Sequence, residues 1–377
     1  MNSELELFRE NVRRFVAEQV VPNYRQWEKD EIFPRTLWNK LGEQGLLAVD
    51  IPEEHGGYGA DFLFSMVIQE EFSKANCAAV GGPMAVHSDI VCHYILNQGS
   101  EAQKQYYLPK MVSGECVGAV AMTEPGAGSD LQGLRTTAKR DGDDYIINGS
   151  KTFITNGQHC DVVIVAARTN TEVSGAKGTT LFMVDSDTPG FQRGRNLEKI
   201  GLHPSDTSEL FFEDVRVSAD AILGQVDRGF AVLMGELQRE RLALAIGAVA
   251  ASEGILKATV EYVKERKAFG APIAELQNTR FKLAEAATDV RIHRSFVEEC
   301  KQLFMRSELD VATVSMAKMS CTEMQGRVAD TCLQLHGGYG YMQEYGVSRA
   351  FVDARVQRIY GGTSEVMKEL ISRSVLA

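Results

Sequence analysis

The stretch Asp144-Tyr-Ile-Ile-Asn-Gly-Ser-Lys-Thr-Phe-Ile-Thr-Asn-Gly157 decides the fold class of this chain. Its β-branched and aromatic residues form two short runs, and each run ends in an Asn-Gly pair, which is typical of tight turns between strands. Similar runs separated by turn residues occur at 117–122, 162–167, 179–184 and 210–212. The sequence therefore predicts an antiparallel β domain of about 110 residues between positions 116 and 225.

On both sides of this region the pattern changes to that of helices. Before it, Leu5, Phe8, Val12 and Phe15 recur at steps of three and four residues, the spacing of one helix face. After it, long helical segments are broken at glycines in 269–272, 336–340 and 361–362. We predict helical domains at 1–115 and 226–377 around a β domain at 116–225. Because strands and helices are segregated, the fold class is α+β and not a doubly wound parallel sheet.

The charge balance excludes one class of partner. The 377 residues contain 40 Lys+Arg and 51 Asp+Glu, a net charge of −11, whereas a nucleic-acid binder needs a basic face. The longest uncharged apolar-rich stretch, Leu242–Ala251, is shorter than the ~18 residues that span a bilayer. We expect no nucleic-acid partner and no membrane span.

The cysteines and the N-terminus bear on the compartment. Seven widely spread cysteines without a CxxC pair favour reduced, buried thiols, and the scattered histidines give no zinc spacing, so no metal is expected. The acidic N-terminus has the form of neither a secretory signal nor a transit peptide. We expect a bacterial cytoplasm or, for a processed eukaryotic chain, the mitochondrial matrix.

Two segments of the β region could contact a cofactor. Neither G-x-G-x-x-G nor G-x-x-x-x-G-K-[ST] occurs, so a nucleotide would be held in another way. In Met122–Asp130, two glycines around Ala127 could direct backbone N–H groups at an anion or a polar ring edge. Phe153 and Thr155 share one side of a strand and could contact a flat ring. The alternatives are an ordinary Pro-Gly turn and a half-buried hairpin.

Glu240 is the most informative single residue. It interrupts an apolar stripe at helical spacing formed by Phe230, Leu233, Leu237, Leu244 and Ala248. Burial at such a position would raise the pKa of the carboxyl toward neutrality, which suits a general base. The alternative is a glutamate at the edge of the stripe, paired with a neighbouring arginine.

Three C-terminal segments are weaker signals. The cations and the aromatic of Arg266–Gly270, followed by Gln277, could contact a phosphate or simply complement a helix C-terminus. The glycine pairs of Gln334–Gly338 and Gly361–Glu365 lie beside helix ends, where they could bind an anion or form ordinary caps.

Taken together and in order, these segments resemble the acyl-CoA dehydrogenase family, most closely its long-chain type. The matching motifs are Ala121-Met-Thr-Glu-Pro-Gly-Ala-Gly-Ser-Asp130, Lys151-Thr-Phe-Ile-Thr-Asn-Gly157, Arg266-Lys-Ala-Phe-Gly270, Gln334-Leu-His-Gly-Gly-Tyr-Gly340 and Gly361-Gly-Thr-Ser-Glu365. The resemblance implies an N-terminal helical domain, a middle β-barrel domain and a C-terminal four-helix bundle. It also implies a homotetramer built as a dimer of dimers, with one non-covalent FAD per chain.

The resemblance further implies roles for individual residues. The flavin and its ribityl chain would be met by Val120, Met122, Thr123, Gly128, Ser129, Phe153, Ile154 and Thr155. The pyrophosphate and adenosine would be held by Arg266, Phe269 and Gln277 and, across the dimer contact, by Gln334, Leu335, His336, Gly337 and Gly338. Thr363, Ser364 and Glu365 would also contact FAD, and Ser129, Arg241, Gly361 and Gly362 would touch substrate.

The reaction implied is α,β-dehydrogenation of an acyl-CoA to the trans-2-enoyl-CoA. Most family members carry the catalytic Glu where this chain has Gly361, but the long-chain and isovaleryl types carry it on a helix, and Arg239-Glu240-Arg241 matches that position. The resemblance thus implies that Glu240 removes the α-proton while the β-hydrogen leaves as hydride to flavin N5. Electrons would then pass to an electron-transfer flavoprotein.

Two other functions of the same fold are weighed against this one. An acyl-CoA oxidase usually has extra C-terminal sequence, whereas this chain ends at Ala377; a non-catalytic acyl-CoA or flavin-binding protein would not need Glu240. The substrate class is a further expectation: Gly361 and Ala231 are small and favour a long or branched acyl chain.

Overall fold

The N-terminal region is a helical domain. The computed structural model describes residues 2–377. Seven helices precede the first strand: α1 (Asn2–Phe15), α2 (Val21–Asp30), α3 (Thr36–Glu43), α4 (Phe62–Lys74), α5 (Ala78–Ala85), α6 (Cys92–Gln98) and α7 (Glu101–Val112). Two π-helical turns, Val16–Val20 and Val86–Val91, join α1 to α2 and α5 to α6. The stripe on α1 packs as predicted, since Val12 and Phe15 lie in a buried cluster with Trp38 and Leu41.

The middle region is one eight-stranded sheet. Its strands are β1 (Gly118–Ala121), β2 (Thr137–Asp141), β3 (Asp144–Thr155), β4 (Val162–Arg168), β5 (Thr179–Asp185), β6 (Phe191–Asn196), β7 (Thr207–Ser218) and β8 (Ile222–Leu223). Their order is β6-β7-β3-β2-β4-β5-β8, with β1 beside β4. β1 and β2 pair with β4 in parallel, so the sheet is mixed. Within the described chain this path is open, whereas a barrel was expected.

The tight turn of the sheet is not at the predicted Asn-Gly pair. Asn148-Gly149 lies inside β3, at a register shift against β7, and forms a bulge. The two-residue turn is Gly142-Asp143, because Asp141 pairs with Asp144 and Gly142 has a φ of 64°. A bulge and a turn use the same permissive residues, and only the pairing partner separates them.

The C-terminal region is built on one long helix. α8 (Gly229–Glu265) has 37 residues and packs against α4, α9 (Gln277–Met305), α10 (Val311–His336) and α11 (Gly346–Val356). A short hairpin of β9 (Lys267–Ala268) and β10 (Ala271–Pro272) follows α8, and α12 (Ser364–Val375) closes the region. The order helices, sheet, helices confirms the α+β fold class.

α8 also has the length and composition of a membrane-crossing helix. An 18-residue window in it has a mean hydropathy of 1.5, and 56% of that window is buried inside the protein. Leu242, Ile246 and Val249 of this helix belong to the buried cluster between α8, α9 and α10. The apolar character is therefore that of a core helix.

The cysteines are as the sequence predicted. Among residues 2–377, all seven are buried and free.

Candidate active site

Glu240 is buried where α8 of the C-terminal region packs against α6 of the N-terminal domain. Together with Arg239 and Arg241 it lies on α8, and its exposed fraction is 7%. The helical spacing therefore predicted a buried carboxylate, and among residues 2–377 no cation pairs with it within 4.0 Å, as the alternative of an edge glutamate paired with an arginine would require. The hydroxyl of Tyr94 on α6 donates a hydrogen bond of 2.9 Å to Oε1 of Glu240.

The surroundings of Glu240 suit a proton acceptor. Burial raises the pKa of Glu240 to about 7, with the hydrogen bond from Tyr94 opposing the rise, Glu236 adding to it and Arg241 opposing it. Desolvation is the largest cause because a charged carboxylate is disfavoured in an apolar environment. At neutral pH the group is therefore divided between the acid and the carboxylate, which suits a general base.

The predicted substrate residues lie partly together. Arg241 Nε approaches the carbonyl oxygen of Gly361 at 3.4 Å, and Lys318 Nζ donates to the carbonyl oxygen of Gly362 at 2.6 Å. The loop of Gly361 and Gly362 thus lies beside the helix turn that carries Glu240. Ser129 is exposed on a loop of the middle domain, and no hydrogen bond joins it to these residues within positions 2–377.

The space beside Gly361 is not empty. A Cβ built on Gly361 would overlap Cδ1 of Leu244, which lies one helical turn after Glu240. The φ of Gly361 is +63°, a conformation that residues with a side chain rarely adopt. A side chain on residue 361 would thus meet Leu244, and the expectation that Gly361 leaves room for an acyl chain stays a prediction.

The two predicted flavin segments are joined by direct contacts. The backbone N–H of Thr152 on β3 donates to the carbonyl of Thr123, which follows β1, at 2.9 Å. Lys151 Nζ donates to the carbonyl of Met122 at 3.1 Å and to Glu124 Oε1 at 2.8 Å. Val120, Met122 and Thr123 are therefore held beside the strand that carries Phe153, Ile154 and Thr155.

Phe153 is held in an unusual conformation. Its φ is +58°, its side chain is 67% exposed, and it lies at a register shift between Lys151 and Ile154. A bulky residue in the left-handed region costs roughly 1–2 kcal/mol, and such outliers concentrate at functional sites. Added Cβ atoms at Gly126 and Gly128 would meet nothing within 4 Å. An exposed aromatic beside an open glycine loop fits a flat ring such as that of FAD.

A second group of predicted residues lies at the far end of α8. Arg266 is 26 residues after Glu240, which corresponds to roughly 39 Å along the helix. The Arg266 guanidinium lies 5.2 Å from the ring centroid of Tyr339, and the His336 ring stacks on Tyr262 with centroids 4.1 Å apart. This end of the bundle also contains Phe269, Gln277 and Gln334–Gly338. The side chain of Phe269 is 94% exposed.

The third group begins α12. Thr363 is the N-cap and accepts a hydrogen bond from the N–H of Val366 at 3.2 Å. The Ser364 hydroxyl donates to Glu323 Oε1 at 2.8 Å and is buried, whereas Glu365 is exposed. Of these side chains, Glu365 is the most accessible to a ligand.

Sequence reasoning missed the residues that support the site. Tyr94, Leu244 and Lys318 look like ordinary helix residues, and only the fold brings them to Glu240 and Gly361. Lys151 carried a signal, because a lysine inside an apolar strand is unusual. Its exposed fraction is 1%, and its partner Glu124 is also buried.

Comparison with known proteins finds similarity along nearly the whole chain. Models of the N-terminal, middle and C-terminal domains of acyl-CoA dehydrogenases match residues 2–115, 119–215 and 227–376. The mitochondrial long-chain specific acyl-CoA dehydrogenase of Sus scrofa is 53% identical over 376 residues, covering 100% of this chain and 87% of the pig protein. An acyl-CoA dehydrogenase of Bacillus subtilis is 38% identical over 376 residues, covering 100% of this chain and 99% of its own.

Solved structures show the same fold. An acyl-CoA dehydrogenase from Geobacillus kaustophilus superimposes with a TM-score of 0.97 at 48% identity, covering 100% of this chain and 98% of the other. A chain in a structure described as the electron transferring flavoprotein of Acidaminococcus fermentans gives 0.95 at 34%, covering 100% and 98%. A glutaryl-CoA dehydrogenase from Mycobacterium smegmatis in complex with FADH2 gives 0.93 at 28%, covering 100% and 95%. The predicted family and enzyme class are confirmed: this chain belongs to the acyl-CoA dehydrogenases, a family of FAD-binding enzymes.

Proposed function

We propose that this chain catalyses the FAD-dependent α,β-dehydrogenation of an acyl-CoA thioester, with Glu240 as the base that removes the α-proton. The observation that carries the proposal is the burial of Glu240, with a pKa of about 7, beside the loop of Gly361. A buried carboxylate is otherwise a liability for the fold, so its position is best explained by a chemical role.

The base needs an activated substrate, because the α-proton of a thioester is far less acidic than a carboxylic acid. The backbone N–H of Gly361 makes no hydrogen bond to another residue among positions 2–377. It can therefore donate to the thioester carbonyl and stabilise the negative charge that develops there. Arg241 holds the carbonyl of Gly361 and thereby orients this loop.

The middle-domain residues are suited to FAD. Val120–Thr123 and Phe153–Thr155 would bind the ring, the glycine loop ending at Ser129 would approach it closely, and Glu365 with the N-terminus of α12 would add contacts. When bound, FAD supplies the acceptor for the substrate's β-hydrogen. The protein's part is to position the ring, exclude water and hold the base.

The acyl chain is proposed to be long. Support comes from the pig relative, which is named as long-chain specific and is 53% identical to this chain over 376 residues. Ala231, near the start of α8, is small and exposed, which fits a wide entrance. Leu244, in contrast, limits the space directly beside Gly361.

A homotetramer and an electron-transfer flavoprotein partner are also proposed. Glu240 and Arg266 are separated by roughly 39 Å along α8, so the proposed base and the residues proposed for the pyrophosphate lie far apart on the same helix. The family resemblance implies that a neighbouring copy supplies part of the adenosine contacts. The match to a chain in the Acidaminococcus fermentans flavoprotein structure supports the electron acceptor. Mitochondrial and bacterial relatives both occur, so matrix and bacterial cytoplasm are both proposed compartments.

The test is an anaerobic titration of the purified holoenzyme with acyl-CoAs of increasing chain length, followed by flavin absorbance. The wild type should bleach with long-chain thioesters, and Glu240→Gln should bind them without bleaching. Glu261→Gln, an exposed glutamate on the same helix, is the matched control and should bleach like the wild type. Bleaching by Glu240→Gln would remove Glu240 from the role of base, and a preference for short chains would remove the proposed substrate.

A further inference from the structure

The carboxylate of Glu240 has one hydrogen-bond partner within the described residues. That partner is Tyr94, whose hydroxyl donates to Oε1 at 2.9 Å while Oε2 has no donor there. The two residues are 146 positions apart in sequence, one on α6 of the N-terminal domain and one on α8. Tyr94 has an exposed fraction of 0%, so water does not compete for this hydrogen bond.

A buried ion cluster fixes Tyr94 and Glu240 relative to each other. Arg239, the neighbour of Glu240, donates to Asp89 at 2.6 Å and to Asp50 at 2.5 Å. His93, the neighbour of Tyr94, contacts the same Asp50 at 3.1 Å. The backbones of α6 and α8 are thus tied together next to both residues, which keeps the Tyr94 hydroxyl within reach of the Glu240 carboxylate.

The charged groups near Glu240 divide into those that act on it and those paired elsewhere. Tyr94, Glu236 and Arg241 act on its pKa, the tyrosine and the arginine lowering it and Glu236 raising it. On the other elements packed around α8, the following charged groups have their own partners: Asp50 and Asp89 pair with Arg239, Glu70 and Glu71 with Arg9, Glu28 with Arg349 and Glu323 with Arg358, and Lys318 donates to the Gly362 carbonyl. Glu253, on α8 itself, pairs with Arg294 of α9.

Tyr94 is fitted to be a permanent donor. Burial and the adjacent Glu240 carboxylate raise the pKa of Tyr94 well above its usual value, so the hydroxyl keeps its proton across the working range. A phenol in this position can share its proton with a carboxylate but does not give it up. It favours the ionised form of Glu240, since a hydrogen bond to the charged form of a group stabilises that form.

We propose that Tyr94 is a positioning residue for the base, holding Oε1 of Glu240 so that Oε2 faces the substrate's α-carbon. This rests on the proposed role of Glu240. In the step concerned, the α C–H bond breaks and a bond from that proton to Oε2 forms, while the electron pair of the C–H bond stays on the substrate. Tyr94 keeps its own proton throughout.

The experiment is the pH dependence of kcat/KM for an acyl-CoA substrate of the holoenzyme, compared for wild type, Tyr94→Phe and Glu236→Gln. Phenylalanine removes the donor, so the rising limb should move to higher pH by about one unit, with a lower kcat. Glu236→Gln removes a nearby negative charge, so the limb should move to lower pH. Flavin content and thermal unfolding check that each variant is folded.

A direct readout of the carboxyl is the infrared band of protonated Glu240, identified by its absence from Glu240→Gln. In each variant, the pH midpoint of this band should move in the same direction as the rising limb of the pH profile, to higher pH in Tyr94→Phe and to lower pH in Glu236→Gln. If Tyr94→Phe does not fold, a difluorotyrosine at position 94, which is a stronger donor, should move both readouts to lower pH.

The possible failures are distinguishable. If Glu240→Gln stays active, the proposed base is wrong. If Glu240→Gln is inactive but Tyr94→Phe overlays the wild type in both the pH profile and the infrared titration, Glu240 keeps its role and the inference on Tyr94 is overturned.

Discussion

Leu244 occupies the position that a side chain on residue 361 would need. Its Cδ1 atom overlaps the place of a Cβ on Gly361, and the two residues lie on α8 and on the loop before α12. The family resemblance implies a glutamate at this loop position in most members, whereas this chain has Gly361 there and Glu240 on α8. A glutamate side chain at position 361 would therefore require Leu244 to move.

Gly361→Ala should destabilise the protein by about 2–4 kcal/mol. About 1–2 kcal/mol comes from placing a Cβ at a φ of +63°, and the remainder from overpacking against Leu244. The measurement is urea unfolding of the variant against wild type. In a protein that already carries Leu244→Ala, Gly361→Ala should lower the free energy of unfolding only by the cost of the backbone conformation, about 1–2 kcal/mol. Equal losses in both backgrounds would show that the two residues do not compete for space.

Glu240→Gln should stabilise the holoenzyme at alkaline pH. The folded pKa of about 7 lies above the unfolded value of 4.5, so ionised Glu240 opposes folding above pH 7, by about 3 kcal/mol. This penalty shrinks as pH falls from 7 to 4.5 and vanishes below. Thermal unfolding near pH 8 and near pH 5 should show a higher midpoint for the variant only at the higher pH. A pH-independent difference, or the same gain in Glu261→Gln, would contradict this cause.

Much of the fold followed from the sequence because its periodicities are local. The stripe through Glu240 and the change from helical to strand patterns depend on neighbours within a few residues, and both were confirmed. The position of Asn148-Gly149 was misjudged because a bulge and a hairpin differ in their distant partners. The open, mixed sheet was not predictable either, since β1 pairs with β4 across 40 residues of intervening chain.

The candidate site was predictable only in part for the same reason. Glu240 could be found because its charge breaks an apolar pattern. Tyr94 and Leu244 could not, because a buried tyrosine or leucine fits any helix, and only tertiary contacts give them a relation to Glu240 and Gly361. The assignments of Arg266, Gln277 and Gln334–Gly338 to FAD stay predictions.

Lys151→Met should reduce FAD content. Lys151 donates to the carbonyls of Met122 and Ala166 and to Glu124, at 3.1, 2.7 and 2.8 Å, and so ties the glycine loop to the sheet. Burial lowers the pKa of Lys151 to about 8, against the attraction of Glu124. Methionine keeps the volume but leaves the buried Glu124 without its cation, which should cost about 3 kcal/mol or more. Flavin absorbance per chain is the measurement.

The matched control for Lys151→Met is Lys139→Met on the neighbouring strand β2, an exposed lysine of the same sheet. It should leave flavin content unchanged. Full FAD occupancy in Lys151→Met would mean that the loop of Met122–Ser129 holds its conformation without this lysine.

Glu70→Gln should destabilise the contact between the N-terminal and C-terminal helical domains. Glu70 on α4 accepts from Arg9 of α1 and Arg294 of α9, both at 2.8 Å, and lies 3.4 Å from Lys301. Burial alone would raise the pKa of Glu70, but Lys301, Arg294 and Arg9 hold it at about 2. Removing the charge leaves buried cations uncompensated, so the loss should be about 3 kcal/mol in urea unfolding at neutral pH.

The pH dependence separates this ion cluster from simple packing. Because the folded pKa of Glu70 is below its unfolded value of 4.5, its contribution is complete above pH 4.5 and is lost as pH falls toward 2. The difference between wild type and Glu70→Gln should therefore narrow on acidification. Glu298→Gln, which removes a half-exposed partner of Arg294 and Lys301, should cost less than about 1 kcal/mol at neutral pH. A similar loss of unfolding free energy in both variants would mean that the buried ion pairs of Glu70 stabilise the protein no more than the half-exposed ion pairs of Glu298.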